Sequence, residues 1–205
     1  MTVDLTKHAR EIGRALRNGK FEATPGGVLI DSGGMNLLAN GAFKSTLYRG
    51  DEREVAIDPN LVVDQGLIYM LNAAFNGSTQ QTAWYIGLFS GNVSPQANWT
   101  GANIVANATE ITGYTIAGDA PAARPRFTTT ATTTKTLGNT GNEALFTFDD
   151  NGPYTARGAF LVSASAKGST TGVLMAATRF AADRTGLAGP DKLGVEYVIT
   201  AADAG

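Results

Sequence analysis

The sequence predicts a mainly β protein: an antiparallel β-sandwich or barrel with one short helix and an extended N-terminal arm. Three observations lead there. β-prone segments recur from residue 82 onward, six or seven in number. Turn-forming clusters separate them, among them Asn139-Thr140-Gly141, Asp149-Asp150-Asn151-Gly152 and Gly189-Pro190-Asp191. Glycine is abundant, at 25 residues with 7 prolines, and helix-favouring blocks rich in Glu, Lys and Leu are nearly missing.

The elements follow in chain order. Residues 4–18 can form a short helix, with Leu5, Ile12 and Leu16 on one face and Arg10, Arg14 and Arg17 on another. Alone, so short a helix is marginal in water, so its apolar stripe calls for a partner surface. Residues 20–57 are glycine-punctuated and extended. Their short apolar pieces, 28–30, 35–38, 43–48 and 55–57, suit hairpins or an arm laid across another subunit. The expected division is therefore an arm over residues 1–57 and a sandwich or barrel over 58–205. After the break at Asp58-Pro59-Asn60, a helix is expected over 64–75. Asp64 favours its N-terminal end, Asn76-Gly77 closes it, and Leu67, Leu71, Ala74 and Phe75 form its apolar stripe.

Strands are expected at 82–89, 111–116, 126–136, 144–148, 155–163, 172–179 and 193–201, with 91–107 as a long loop. From 128 to 136, seven of nine residues are threonine, which suits an exposed strand or an edge open to pairing.

Composition excludes several kinds of chemistry. The chain has no cysteine, so disulfides, thiol nucleophiles and Cys-ligated zinc are ruled out. His8 is the only histidine, which leaves no basis for a Ser-His-Asp triad or a histidine-rich zinc site. No phosphate-binding glycine motif is present. The net charge of −2 gives no general attraction for nucleic acid, and Arg10, Arg14 and Arg17 would neutralise only about three phosphates. No apolar stretch approaches the ~20 residues of a membrane span. Glu110, near Tyr114 and Asp119, is the remaining hint of a carboxylate cleft, and 149–152 reads as a turn rather than a calcium loop. Trp99, placed in a loop, is the aromatic best suited to contact a glycan or a neighbouring subunit. Neither a cofactor nor a metal is expected.

Further motifs run through the chain. Asn60-Leu61-Val62-Val63-Asp64-Gln65-Gly66-Leu67 leads into the 64–75 helix, and Trp84-Tyr85-Ile86-Gly87-Leu88-Phe89 follows it. Then come Ala108-Thr109-Glu110-Ile111-Thr112-Gly113-Tyr114, Arg124-Pro125-Arg126-Phe127, Gly158-Ala159-Phe160-Leu161-Val162 and Leu193-Gly194-Val195-Glu196-Tyr197-Val198-Ile199. Together, over residues 60–200, they resemble a group of tailed-bacteriophage virion proteins. The resemblance implies a non-enzymatic structural protein that decorates or cements the capsid, with tail, neck or fibre-anchoring components and a glycan-binding module as alternatives. It implies assembly in the host bacterial cytoplasm. It also implies partners among the major capsid protein, other virion proteins and copies of the chain itself. The expected contact residues are Arg10, Ile12, Arg14, Leu16, Arg17, Phe21, Phe43, Tyr48 and Trp99. On this reading the arm laces over neighbours and buries Ile12, Leu16, Phe21, Phe43 and Tyr48.

Overall fold

The structure, a computed structural model, describes residues 37–116 and 122–203. Asn40–Thr200 forms one compact unit; the other, Met1–Ala39 with Ala201–Gly205, falls largely outside the described residues. The elements run β1 (Leu37–Arg49), β2 (Glu52–Pro59), β3 (Leu61–Val62), α1 (Asp64–Phe75), β4 (Tyr85–Phe89), α2 (Ile104–Ala108), β5 (Tyr114–Thr115), β6 (Thr136–Gly138), β7 (Ala144–Phe148), β8 (Tyr154–Val162), β9 (Leu174–Leu187) and β10 (Lys192–Asp203). Mainly β structure in antiparallel sheets with a short helix at 64–75 is what the sequence predicts, and the arrangement is that of a β-sandwich; a second short helix, α2, starts within 91–107, the stretch expected to be a long loop.

One sheet has six strands in the order β2-β1-β10-β7-β5, with β6 also paired to β10. The strands β7 and β6 share one side of β10, opposite residues 192–195 and 198–200 respectively. The other sheet has four strands, β3-β9-β8-β4. Alternation along β7 shows how the first sheet meets the core. Ala144, Phe146 and Phe148 are buried while Leu145 and Thr147 are half-buried, because successive side chains point to opposite faces. Phe43 and Leu47 of β1 and Val195 and Tyr197 of β10 join them, meeting Ile86, Leu88, Ala159 and Leu161 from the four-stranded sheet.

The four-stranded sheet does not alternate. Residues 158–162 of β8 are all buried, as are 174–178 of β9. Such runs mark a sheet covered on both faces. Its second face packs against the 90–113 connection, whose Trp99, Ile104 and Ala108 meet Phe89, Phe160, Val162, Leu174 and Ala177. Two cross-strand pairs set the spacing on that face: Gly87 opposes Phe160, and Phe89 opposes Gly158. Each ring lies over the glycine opposite it, the arrangement known as aromatic rescue. A Cβ on Gly87 would come within 2.2 Å of the Phe160 ring, and one on Gly158 would meet the Phe89 ring at the same distance.

Two expectations are corrected. The arm does not extend to residue 57, because β1 and β2 form a hairpin within the six-stranded sheet, paired from Ala42↔Pro59 to Arg49↔Glu52. The domain therefore starts by residue 40, and a chain cut at 57 would lose two strands and the buried Phe43. The threonine tract is strand only from residue 136. Upstream, the Thr132 and Thr134 hydroxyls accept the N–H groups of Thr134 (3.0 Å) and Thr136 (3.3 Å), offering the backbone local partners in place of a ladder.

Replacing Gly87 with Ala forces a methyl group into the Phe160 ring. The expected loss is about 1–3 kcal/mol in denaturant unfolding, the usual range for overpacking. An unchanged midpoint would show that the ring does not rest on this glycine.

Candidate functional site

The expected contact residues fall into two groups. Arg10, Ile12, Arg14, Leu16, Arg17 and Phe21 lie outside the described residues. The other three lie within the sandwich. Phe43 is 0% exposed, its ring 4.5 Å from that of Tyr197, so its place is the domain core and not a subunit contact. Trp99 is 4% exposed and packs edge-on against Phe89 at 6.3 Å. It covers the outer face of the four-stranded sheet, which removes the ring on which a glycan-binding reading rested. Tyr48 is half-buried on the outer face of the six-stranded sheet. Its hydroxyl donates to Glu143 Oε1 at 2.7 Å, and the Arg53 guanidinium sits 5.3 Å from its ring. The bond to Glu143 raises the phenol above its ordinary pKa.

The buried charges are engaged in holding the fold. Arg124 and Glu110, 0% and 1% exposed, form a two-pronged pair: Nε to Oε1 at 2.7 Å and Nη2 to Oε2 at 2.8 Å. Arg124 also donates to the Ala164 carbonyl, and Glu110 accepts the Gly168 N–H, so the pair ties three loops together. Glu110 is thus committed to Arg124 and is not poised as a carboxylate over a cleft, while Asp119 lies outside the described residues. Arg184 on β9 is buried and bonded to Glu54 on β2 and Ser45 on β1, which joins the two sheets. Asp149 accepts the Tyr154 hydroxyl and the Asn151 N–H, as a turn residue does. Among the described residues, no group of three or more His, Asp or Glu side chains is arranged to hold a metal. The buried Arg pairs escaped the sequence reading, although Arg124-Pro125-Arg126-Phe127 and Glu110 both stood in its motifs.

The exposed surface is more distinctive. Among the described residues, seven large apolar side chains are exposed, and all lie between residues 55 and 75: Val55, Ile57, Leu61, Leu67, Ile68, Leu71 and Phe75. In α1 the expected apolar stripe points outward, with Leu71 56% and Phe75 82% exposed. The inward side is Gly66, Tyr69, Met70 and Ala73. Tyr69 stands edge-on to Trp84 at 5.3 Å, and its hydroxyl accepts the Gln81 N–H at 2.7 Å, which fixes the helix in this orientation. The only charged residue of the helix is Asp64, in its first turn. Beside α1, a cavity of about 430 Å³ lies among Met70, Trp84, Phe127, Leu161, Tyr197 and Ile199. Arg126 is the one charged residue in its wall. An outward apolar stripe of this kind is chemistry for docking against another apolar surface.

Replacing Arg124 alone with Ala leaves the Glu110 carboxylate buried and unpaired, and should cost about 3–5 kcal/mol in denaturant unfolding. The double change Arg124→Met with Glu110→Leu should cost clearly less; equal losses would mean that the charge is not what matters. A second prediction concerns pH. Glu196 accepts from Lys44 Nζ and from the Gly141 N–H, both at 2.8 Å. Burial alone would raise this carboxyl, but Lys44 and Gly141 hold it below its ordinary value of 4.5. The bond to Glu196 raises Lys44 above 10.5. A lowered folded pKa gives stability that is present above the unfolded value and lost as pH falls through the folded one. A raised lysine gives stability present below its unfolded value and lost above the folded one. Wild type and Glu196→Gln should therefore differ in thermal midpoint between those limits and converge as pH falls below 4.5.

Compared with known proteins, the chain matches no family model and no curated protein sequence.

Proposed function

We propose that the chain is a non-enzymatic virion structural protein that decorates or cements a tailed-phage capsid. One observation carries this reading: the apolar stripe of α1 faces outward on a helix anchored from its other side. A helix whose apolar face is buried serves its own core. Here the core side consists of Gly66 and the half-buried Tyr69, Met70 and Ala73, while Leu67, Ile68, Leu71 and Phe75 are presented to a partner. Burying these side chains at about 25 cal/mol per Å² supplies affinity, offset by ordering costs. Repetition by symmetry then makes many modest contacts sufficient. The engagement of the buried Glu110 and Glu196, and of the buried Arg184 with the exposed Glu54, in ion pairs fits a protein that works by contact.

The nature of the partner comes from the resemblance over residues 60–200 to tailed-phage virion proteins. It points to the major capsid protein or another virion component, with the mature protein in the particle. A tail or neck position is the alternative within the same class, and copy number separates the two: hundreds per particle for a capsid cement, far fewer for a neck part.

Leu71→Asp combined with Phe75→Asp changes two exposed positions, so the thermal midpoint should hold. Incorporation into particles, read by quantitative gel analysis and imaging, should fall at least tenfold. Full incorporation of a folded double variant would sink the reading.

A further inference from the structure

We infer that two copies of this chain join edge to edge through β2, with a twofold axis at Val55, to make one continuous sheet. The inference stands on β2 alone and does not depend on the capsid reading.

Consider the sheet edges. The β4 edge of the four-stranded sheet is covered: Ile86 and Ile111 donate to the Pro125 and Leu88 carbonyls, and Phe127 donates to that of Trp84, at 2.8–3.0 Å. The opposite edge, β3, has two residues, as does β5 at the far edge of the six-stranded sheet. Of the edge strands β2, with eight residues, is the longest, and no described strand pairs with its outer side. An open edge of that length is a template for another strand.

The register of the hairpin shows what this edge offers. Gly50 and Asp51 form its turn, with Gly50 at φ +57°, and Arg49 opposes Glu52. Glycine at the first central position fits a type II′ turn, in which the closing pair is hydrogen-bonded. Hydrogen-bonded pairs then alternate: Arg49/Glu52, Leu47/Glu54, Ser45/Ala56 and Phe43/Asp58. The residues between them, Arg53, Val55 and Ile57, turn both N–H and C=O away from β1. At the next such position stands Pro59, which has no N–H to give.

These three residues are symmetric about Val55. With the axis there, Arg53 opposes the partner's Ile57, Val55 opposes the partner's Val55, and Ile57 opposes the partner's Arg53. Each is a hydrogen-bonded pair, and together they use every outward donor and acceptor of the three residues in both copies. Moving the axis to Ala56 sets Arg53 against Pro59 and loses a donor. Moving it to Glu54 sets two carboxylates face to face and leaves Ile57 opposite the turn.

Charge and burial agree with the Val55 register. Val55 and Ile57, 53% and 68% exposed, form an apolar centre, and the two Arg53 side chains stand at opposite ends. Each Glu54 brings its own counter-ion in Arg184. Glu52 opposes the partner's Asp58, whose carboxylate is turned inward, 2% exposed, and accepts the Ala181 N–H at 2.7 Å. Strand pairing of this kind therefore needs no rearrangement of the hairpin.

Sedimentation velocity on the full-length chain tests the inference. Wild type should show a concentration-dependent dimer. Val55→Lys and Val55→Glu should each be monomeric, with unchanged circular dichroism and, because the site is exposed, a thermal midpoint matching that of wild type diluted below its dimerisation range. Since residue 55 faces itself, an equimolar mixture of the two variants should dimerise again. A monomeric wild type, dimers that persist in either variant, or a mixture that stays monomeric would each overturn the inference. A monomeric wild type with slow amide exchange at Arg53, Val55 and Ile57 would overturn it in favour of another segment of the same chain on this edge.

Discussion

Over residues 158–162 and 174–178 the four-stranded sheet has no face left to water, and much of the rest follows from that. One face is closed by the six-stranded sheet and the other by the 90–113 connection. A sheet buried twice cannot alternate polar with apolar residues, so β8 and β9 carry continuous buried runs. The cover must also lie close, and the reciprocal Gly87–Phe160 and Phe89–Gly158 pairs provide the space. Each glycine gives up a side chain so that the ring opposite can lie flat over the strand. The layer above then meets two rings and not an uneven row of branched side chains, and Trp99 settles edge-on against one of them.

Closing that layer creates a polar problem, which arginine answers. The loops at the rim of the four-stranded sheet carry backbone groups that the cover takes out of water, and an unpaired buried group is costly. Arg124 engages Glu110 with two donors and the Ala164 carbonyl with a third, while Glu110 in turn accepts from Gly168. The planar guanidinium also lies 5.3 Å from the Phe160 ring, against the same aromatic layer that required the cover. Lysine could neutralise the carboxylate but could not serve three loops in fixed directions. Arg184 plays the matching part between the sheets, bonding Ser45 and Glu54 of the hairpin from β9.

What could be read in the sequence divides along the same lines. Local signals worked: Asp64 and Asn76-Gly77 bounded α1, and the clusters at 139–141, 149–152 and 189–191 separated strands that are present. Non-local pairing was hidden. Residues 40–57 are broken by glycine and short of apolar length, and they become strands because β10, some 150 residues away, lies beside β1. Phe43 was misplaced for that reason. Trp99 was misplaced because its role depends on a sheet buried on both faces, although the unbroken apolar run at 158–162 was the available clue. The direction of the α1 stripe could not be read at all. Periodicity identifies a face, but only Tyr69 meeting Trp84 decides which way it turns.

That last point bears on how such a surface persists. An outward apolar stripe lowers the stability of an isolated domain and invites non-specific association, so a sequence keeps one without loss only if something else holds the helix. Here the anchors are on the inward side: Tyr69 against Trp84, and Gln65, whose Oε1 accepts the backbone N–H groups of Gly101 and Leu174 at 2.8 Å each. Both work without Leu67, Ile68, Leu71 or Phe75. The outward residues are thereby released from folding and can be shaped by a contact, while the helix beneath them is positioned by the sandwich. The inward side of this twelve-residue helix thus serves the fold, and its outward side is left to the proposed contact.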